Sequence, residues 1–527
     1  MPMYHLCKVA SFFLLFFVFV FSSCRKDPTS WNSHWELIVI QDTLNLSQLV
    51  TDSLAEVDSE GSYRLVINRN VLDLDMEDVV SIPDTVIRQT VTIPVSVSVP
   101  PGIQFVDQIE NNTFNFDGLQ LKRVLLNGGK TKIKVSSPIG TMCIATLKLP
   151  GVKKNGVDFV VETEVPAGTV SNLSIRELEV DLTGYEIDLT GLNGNAYNII
   201  QSQFLVRTDP NGNSVDVNTS QQIKFDVEFL SMKPGYARGY FGNQIFQEIE
   251  EINLDFMDRF VSGSIDVNNV NITMKLYNGI KAGARAKINL FEGVNQSGVA
   301  LPILHAQFGS WIWINQALGT WDDLQASSYE INLTSLNSNI EQFIEHLPNI
   351  IRVNFEFELN PYGNTSGGWD EIFSTSFVRA VLTADMPLSL GMNNLTLRDT
   401  FDLKFGEPGT ITAKSGSIVV QTKNSFSFEA ELSMQILNDN NELLFEKVAQ
   451  NKILGSNAIA NFSPTEAVGS TITFDFSEIE MAKLYSMDKI VLKAVFNSPN
   501  SGQVAIVHAS QFLAFKLFSD LKLTGKF

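Results

Sequence analysis

The stretch 353–359 reads Val-Asn-Phe-Glu-Phe-Glu-Leu, with an apolar residue at every second position. Successive side chains of a β-strand point to opposite faces of the sheet, so this stretch predicts a strand with one buried face and one polar face. The same alternation occurs at 91–99, where Pro94 indicates an edge strand because proline has no amide proton to donate, and again at 513–523. Such strands are typical of antiparallel sandwiches.

Two other stretches predict short helices. In 338–347 the apolar residues repeat at i, i+3, i+4 and i+7, with Ser338 as a candidate N-cap and Pro348 as a stop. Ser477, with Glu480 three residues later, has the pattern of a capping box. The predicted fold class is therefore mainly β, with several β-sandwich-like antiparallel domains in tandem and a few short helices.

Features around these helices indicate an internal duplication. Each helix leads into an alternating strand that ends at Asn360 or Asn497, before a turn containing Pro and Gly. The tetrapeptide Ser-Gly-Ser-Ile begins at Ser262 and again at Ser415. One order of elements with different loops predicts a repeated β domain. The alternative is coincidence, since Ser-Gly-Ser is a common turn.

The length of 527 residues predicts three or four domains, at about 100 to 200 residues per domain. The proposed division is a signal peptide at 1–23, a lipidated tether and lead-in at 24–62, an N-terminal β-rich region at 63–254 with room for two domains, a β domain (repeat 1) at 255–405, and a β domain (repeat 2) at 406–527.

The N-terminus has the architecture of a signal peptide. Lys8 precedes an apolar core at 9–21, and Ser-Ser-Cys follows at 22–24. The core is too short for a transmembrane helix, which needs about 20 residues. Small residues before Cys24 resemble the lipobox of bacterial lipoproteins, although Phe21 departs from the usual Leu, Val or Ile. The alternative is an ordinary secretory signal cut nearby.

The Phe-rich leader and the Asn-rich and Phe-rich body are similar to envelope lipoproteins of the Bacteroidota. This resemblance implies cleavage before Cys24, lipidation of that cysteine and attachment to the outer membrane, on either the cell surface or the periplasmic face. The chain carries 58 acidic and 38 basic side chains. This balance disfavours nucleic acid as a partner, because such binding needs basic patches.

The sequence shows no spacing typical of a catalytic or metal site. The histidines are scattered, and nucleophile-elbow, phosphate-loop and dinucleotide motifs are lacking. We therefore expect no enzyme activity, no metal and no cofactor. With Cys24 acylated, Cys143 would have no disulfide partner in the mature chain, and its apolar surroundings predict a buried structural thiol.

Tryptophans provide the candidate ligand-binding residues. Trp311 and Trp313 would share one face of a strand, where they would either fill the core, the favoured alternative, or stack on a ligand. Trp321 lies close by in sequence. Trp369 lies in a Gly-rich loop and is the better candidate for an exposed contact.

The leading functional hypothesis is a non-enzymatic outer-membrane lipoprotein that acts as a binding or scaffolding subunit of an envelope assembly. Its partners would be the membrane, through the lipid, and outer-membrane proteins. The alternative is a lipoprotein that binds lipid or glycan. A less favoured alternative is an integral outer-membrane barrel, suggested by the terminal aromatic Phe527.

Overall fold

The computed structural model describes residues 30–45, 55–254, 257, 260–402, 411–456, 467–498 and 504–526. In this part of the chain strands predominate, and the helices are α1 (Met76–Val79), α2 (Ile340–Glu345) and α3 (Glu478–Leu484). The predicted mainly β class is confirmed. No helix within these residues has the length and apolar character needed to cross a membrane. The leader and Cys24 lie outside the described residues.

The strands of the first half of the chain are β1 (Ser30–Asn45), β2 (Ala55–Val57), β3 (Tyr63–Leu74), β4 (Thr85–Thr92), β5 (Val97–Val99), β6 (Gln104–Thr113), β7 (Gln120–Ser137), β8 (Cys143–Lys154), β9 (Val157–Val165), β10 (Ser174–Asp181), β11 (Glu186–Asp188), β12 (Ile199–Thr208), β13 (Val215–Val217), β14 (Gln222–Tyr240), β15 (Gln244–Asn253) and β16 (Phe260–Val267).

The strands of the second half are β17 (Ile272–Asn278), β18 (Ala284–Asn295), β19 (Ala300–Pro302), β20 (Ile312–Ile314), β21 (Ser327–Leu333), β22 (Pro348–Leu359), β23 (Asp370–Phe373), β24 (Val378–Pro387), β25 (Ser389–Asp402), β26 (Ile411–Asn424), β27 (Glu429–Leu437), β28 (Leu443–Val448), β29 (Val468–Phe476), β30 (Lys489–Asn497), β31 (Ala505–Ile506) and β32 (Phe512–Lys526).

The chain divides into two compact units. Of the described residues, unit 1 contains those within Met1–Leu49, Arg259–Gly263 and Gly391–Phe527, and unit 2 contains those within Val50–Asp258 and Ser264–Leu390. Strands on both sides of the predicted boundary between residues 254 and 255 pair with each other, as β15 does with β22 and β3 does with β24. The compact units therefore have different boundaries from the predicted domains.

One pattern of strand pairing occurs three times. In unit 1 it forms the sheets β1-β32-β26-β29 and β25-β30-β27-β28. Unit 2 contains β3-β24-β17-β21 with β15-β22-β18-β19, and also β4-β14-β7-β10 with β6-β12-β8-β9. When the eight strands of each set are lettered a to h in chain order, the sheets are always a-h-c-f and b-g-d-e. Two sets of four antiparallel strands connected in this way have jelly-roll topology. In the set that contains β4 and β14, β11 pairs with both β7 and β8 and joins the two sets into one ten-stranded sheet.

The three sets are nested along the chain. We name them roll 1 (β4, β6–β10, β12 and β14), roll 2 (β3, β15, β17–β19, β21, β22 and β24) and roll 3 (β1, β25–β30 and β32). Roll 1 lies entirely within the connection between strands a and b of roll 2. Roll 2 in turn lies within the connection between strands a and b of roll 3. As a result β1, the first described strand, pairs with β32, the last.

Apolar side chains between the paired sheets form the cores. In roll 1, Phe204 of β12 and Phe225 of β14 are both fully buried, with ring centroids 4.6 Å apart. In roll 2, Phe355 and Phe357 are fully buried, as predicted. In roll 3, Ile436 belongs to a buried cluster to which both sheets and α3 contribute.

Local predictions were confirmed unevenly. The Ser477 capping box is present at α3, with both reciprocal hydrogen bonds. Helix α2 is shorter than predicted, and the Ser338 N-cap is wrong, because Asn339 occupies that position and the Ser338 hydroxyl donates to the Thr334 carbonyl at 2.8 Å. The prediction of one strand over 91–99 is also wrong.

The stretch 91–99 is interrupted at its proline. Strand β4 ends at Thr92 and β5 begins at Val97. Pro94, between them, cannot continue the ladder because it has no amide proton. Val95, which the alternation placed on the buried face, is 59% exposed.

The nested topology assigns the repeated sequence features to definite strands. Helices α2 and α3 both precede strand g of their roll, so they occupy equivalent positions. Ser262 lies in β16, however, whereas Ser415 lies in β26, which is strand c of roll 3. The strand of roll 2 that is equivalent to β26 is β17. The superposition of 255–405 on 406–527 stays a prediction.

Candidate functional site

One open sheet face in unit 2 combines charged and aromatic side chains. It is formed by the adjacent strands β11, β7, β14 and β23. The strand register aligns one row of side chains across all four strands: Glu186, Leu125, Tyr236 and Phe373. It aligns a second row two residues away: Asp188, Arg123, Arg238 and Glu371. The intervening row is buried: Ile187, Val124, Ala237 and Ile372.

The sequence of β14 explains why this face carries large side chains. Gly235, Ala237 and Gly239 alternate with Tyr236, Arg238 and Tyr240. A Cβ atom at Gly239 would lie 2.4 Å from the carbonyl oxygen of Gln120 on β7, so only glycine permits this approach. The small residues therefore allow close packing on one side, and the large residues face the other.

An open groove of 260 Å³ lies on this face, and we name it the aromatic groove. Its lining residues are Arg123, Leu125, Glu186, Tyr236, Thr320, Trp321, Glu371 and Phe373. The Trp321 ring is edge-on to Phe373, with centroids 5.8 Å apart, and lies 6.0 Å from the Tyr236 ring. Tyr236 and Phe373 are 5.3 Å apart. Phe373 is itself buried, so Tyr236 and Trp321 present the apolar surface of the groove.

Hydrogen bonds fix the polar side of the groove. The Tyr236 hydroxyl donates to Oε1 of Glu371 at 2.6 Å, and Nζ of Lys281 donates to Oε2 at 2.5 Å. Burial alone would raise the pKa of Glu371, but these two bonds hold it below its ordinary value. Burial, and then the bond to Glu371, raise the pKa of Tyr236. At neutral pH Glu371 is therefore ionised and Tyr236 is protonated.

The two arginines of the second row have different environments. Nη2 of Arg123 donates to Glu186 at 2.8 Å, and this bond is the main reason that the pKa of Arg123 is raised. The guanidinium of Arg238 instead lies over the ring of Trp369, 4.7 Å from its centroid. This distance is within the range of a cation–π interaction.

Trp369 is held at the end of an ordered loop, 360–369. The Asn364 side chain accepts a hydrogen bond from the Gly368 amide at 2.7 Å, and the Ser366 hydroxyl accepts one from the Trp369 amide at 3.1 Å. Gly368 has a φ of +80°, a conformation that favours glycine. The indole is nevertheless 65% exposed, so this loop presents an aromatic surface to solvent.

Trp313 does not fill the core, so the favoured alternative for this residue is wrong. Its neighbours Ile312 and Ile314 are buried on the opposite face of β20, and Trp313 is 50% exposed. The Trp313 ring stacks on Tyr362 of the 360–369 loop, with centroids 5.2 Å apart and an interplanar angle of 16°. One loop thus carries both Trp369 and the stacking partner of Trp313.

Trp311 has cationic neighbours on the same side of the sheet. The Arg285 guanidinium lies 4.0 Å from its ring centroid, and Nζ of Lys287 lies 4.4 Å from it. Both cations also form ion pairs with β22, to Glu358 and Glu356 respectively. Ligand binding by Trp369, Trp311 and Trp313 stays a prediction.

The sequence interpretation missed the residues at the centre of the groove. Tyr236 and Glu371 are separated by 135 positions, so no local motif contains both. The available signal was the alternation of glycine or alanine with Tyr236, Arg238 and Tyr240, which places large side chains opposite a tightly packed face. Trp321 was noted only as a sequence neighbour of Trp311 and Trp313.

Other candidate chemistry lies away from the groove. Within the described residues no group of three or more His, Cys, Asp or Glu side chains could hold a metal ion. Cys143 is buried, as predicted, and burial raises the pKa of its thiol to about 12. A thiol with this pKa is protonated at neutral pH and is a poor nucleophile.

No family model matches the chain, and no curated protein matches it. Among solved structures, it is similar to a Parabacteroides distasonis protein inferred to be secreted, at 12% identity, over 54% of this chain and 89% of that one, with a TM-score of 0.25. It is also similar to the PBCV-1 virus capsid, at 8% identity, over 85% of this chain and 98% of that one, with a TM-score of 0.12.

Proposed function

We propose that this protein is a cell-envelope lipoprotein, attached to the outer membrane through Cys24, that binds a carbohydrate in the aromatic groove and does not act as an enzyme. The anchor rests on the leader, in which a short apolar core and two serines precede Cys24. Several acyl chains on one cysteine would hold the body at the membrane, since each buried CH₂ contributes about 0.8 kcal/mol.

The observation that carries the binding proposal is the combination of groups in the groove. Tyr236 and Trp321 provide the apolar wall, backed by the buried ring of Phe373, while Glu371 and Thr320 provide polar atoms beside it. A sugar ring has apolar C–H faces and a rim of hydroxyl groups, so it needs both kinds of surface. A few fixed polar groups on an apolar wall are the usual composition of a small-molecule site.

A carbohydrate suits this groove better than a lipid does. An acyl chain would need a deep apolar cavity, whereas the groove is open and has charged side chains of Arg123, Glu186 and Glu371 in its lining. An apolar ligand would remove water from these charged groups without replacing its hydrogen bonds, which is energetically unfavourable. The buried phenylalanines pack within the rolls, as Phe204 and Phe225 do.

The scaffolding role remains a second candidate because of one exposed strand. Strand β15 is at the edge of its sheet, and its Ile245 and Ile249 are 59% and 63% exposed. An open edge with apolar side chains suits a partner strand or an apolar protein surface. Crosslinking in native membranes would test this role: Ile249→Lys should lose the crosslinked partner, whereas an unchanged pattern would exclude this surface.

A glycan microarray probed with the full chain in detergent tests carbohydrate binding. The proposal predicts wild-type binding to at least one oligosaccharide class and a loss of about tenfold or more in Trp321→Ala, because that ring forms much of the apolar wall. Tyr197→Ala is the matched control, since Tyr197 is an exposed aromatic residue outside the groove lining. No binding by the wild type would contradict the proposal.

A further inference from the structure

Two arginines face each other across neighbouring strands. Arg238 of β14 is directly opposite Arg123 of β7 in the antiparallel register, and their side chains share the open face. Like charges in this position destabilise a sheet. Glu186 compensates Arg123 through a hydrogen-bonded ion pair. In the described part of the chain Arg238 has no such ion pair, and its charge is balanced through the electrostatic attraction of Glu371 on the neighbouring strand.

The acidic neighbour of Arg238 is already engaged. Glu371 lies opposite Arg238 on the other side, in β23. Its two carboxylate oxygens accept hydrogen bonds from Tyr236 and Lys281. Glu371 still attracts the Arg238 guanidinium electrostatically. Among the described residues Arg238 has no ion pair, and its Nε–H, which is shielded from water, has no hydrogen-bond acceptor; the Nε–H of Arg123 lacks one as well. A shielded donor without an acceptor is uncommon in a folded protein and requires an explanation.

Trp369 contacts the Arg238 guanidinium but does not accept hydrogen bonds from its N–H groups. Attraction between a cation and a ring face does not supply an acceptor atom for the N–H groups. Arg238 is therefore held in a sheet beside a like-charged neighbour, and its Nε–H still lacks an acceptor. A like-charged neighbour and an N–H group without an acceptor both lower local stability, and such unfavourable features are expected at binding sites.

We propose that Arg238, which lies beside the groove between the lining residues Arg123 and Glu371, binds a carboxylate of the ligand, so that the carbohydrate is acidic and contains uronic acid residues. This inference rests on the proposed carbohydrate binding and defines its substrate class. A guanidinium and a carboxylate can form two parallel hydrogen bonds, which give both affinity and orientation. The chain as a whole has a net charge of −20, so general attraction would not bring an anion to it.

The test is calorimetry on the full chain in detergent with a panel of uronic acid oligosaccharides, each paired with its carboxyl-reduced neutral form. The wild type should bind at least one acidic form about tenfold more tightly than its neutral form. This preference should weaken as ionic strength rises, because salt screens a partly exposed charge pair. Arg238→Gln should remove the preference, and Arg238→Lys, which keeps the charge, should retain part of it.

Arg88→Gln is the matched control. Arg88 is an exposed arginine of β4 opposite Asp226, which lies ten positions before Tyr236 along β14, or roughly 30 Å at the rise of an extended strand. The Arg88→Gln variant should therefore keep the wild-type preference for the acidic form of the oligosaccharide. The salt dependence is measured on the wild type, so it tests the inference even if Arg238→Gln fails to fold.

The two proposals fail in different ways. Equal affinity of the wild type for acidic and neutral forms would overturn the role of Arg238 and leave carbohydrate binding intact. A preference for the acidic form that a folded Arg238→Gln protein retains would overturn the role as well. Failure to bind any member of this panel would overturn the role of Arg238 alone, whereas failure to bind any glycan on the microarray would overturn both proposals.

Discussion

The Tyr236 hydroxyl lies 2.6 Å from Oε1 of Glu371, although the two residues are 135 positions apart in the chain. Tyr236 is in strand h of roll 1, and Glu371 is in β23, within the g-to-h connection of roll 2. The groove is therefore made where the inserted roll meets the roll that contains it. Neither roll carries all of the lining residues.

Glu371→Gln should lower stability at neutral pH by about 1 to 3 kcal/mol, because hydrogen bonds to a charged group are lost. The folded state lowers the pKa of Glu371 below its ordinary value of 4.5. Its contribution is therefore present above pH 4.5 and is lost as the pH falls through the lower folded pKa. Urea unfolding of wild type and variant at a series of pH values measures this difference.

Glu248→Gln, at an exposed position of β15, is the control for that experiment and should differ little from wild type at any pH. A difference between Glu371→Gln and wild type that persists unchanged at acidic pH would contradict the assignment of the effect to the ionised carboxylate.

Phe355→Ala or Phe357→Ala should destabilise unit 2 by about 3 to 5 kcal/mol, because each change removes buried apolar surface and leaves a cavity. Val95→Ala is the control and should stay within about 0.5 kcal/mol, since Val95 is largely exposed. Chemical unfolding followed by fluorescence measures these changes. Wild-type midpoints in both phenylalanine variants would mean that these rings are not buried.

Ser477→Ala should lower the free energy of unfolding by about 1 kcal/mol, because the hydroxyl that accepts a hydrogen bond from the Glu480 amide in the capping box is lost. The unfolding transition that reports on unit 1 should move accordingly. Ser477→Asp restores an acceptor at the N-cap and should recover most of the loss. No difference between the alanine and aspartate variants would contradict the capping role.

Cys24→Ser should abolish incorporation of labelled fatty acid and detach the protein from the membrane, because the sulfur is the proposed site of acylation. Cys143→Ser is the control, since Cys143 is buried in β8 and should not be acylated. Metabolic labelling followed by membrane fractionation measures both outcomes. Label retained in Cys24→Ser would exclude this cysteine as the anchor.

Features encoded by neighbouring residues could be predicted from the sequence. The α3 cap depends on Ser477 and Glu480, which are three positions apart, and the buried face of β22 follows from strict alternation. The sequence interpretation predicted one strand over 91–99 because apolar residues alternate on both sides of Pro94. Proline has no amide proton for the hydrogen-bond ladder, and the strand is interrupted there.

The pairing pattern could not be predicted in the same way. An alternating strand specifies its faces but not its partner, so nothing near 30–45 indicates that β1 pairs with β32. The groove depends on the same long-range choices. Arg123, Arg238 and Glu371 become neighbours only through the registers of β7, β14 and β23.

The most direct test of the central claim is calorimetric titration of the strongest microarray ligand into full-length wild type, Trp321→Ala and Trp313→Ala. Binding in the aromatic groove predicts a loss of about tenfold or more for Trp321→Ala, which corresponds to about 1.4 kcal/mol. Trp313→Ala should lose less, because Trp313 stacks on Tyr362 outside the groove lining. Wild-type affinity in Trp321→Ala, with the loss confined to Trp313→Ala, would contradict the assignment of the groove as the binding site.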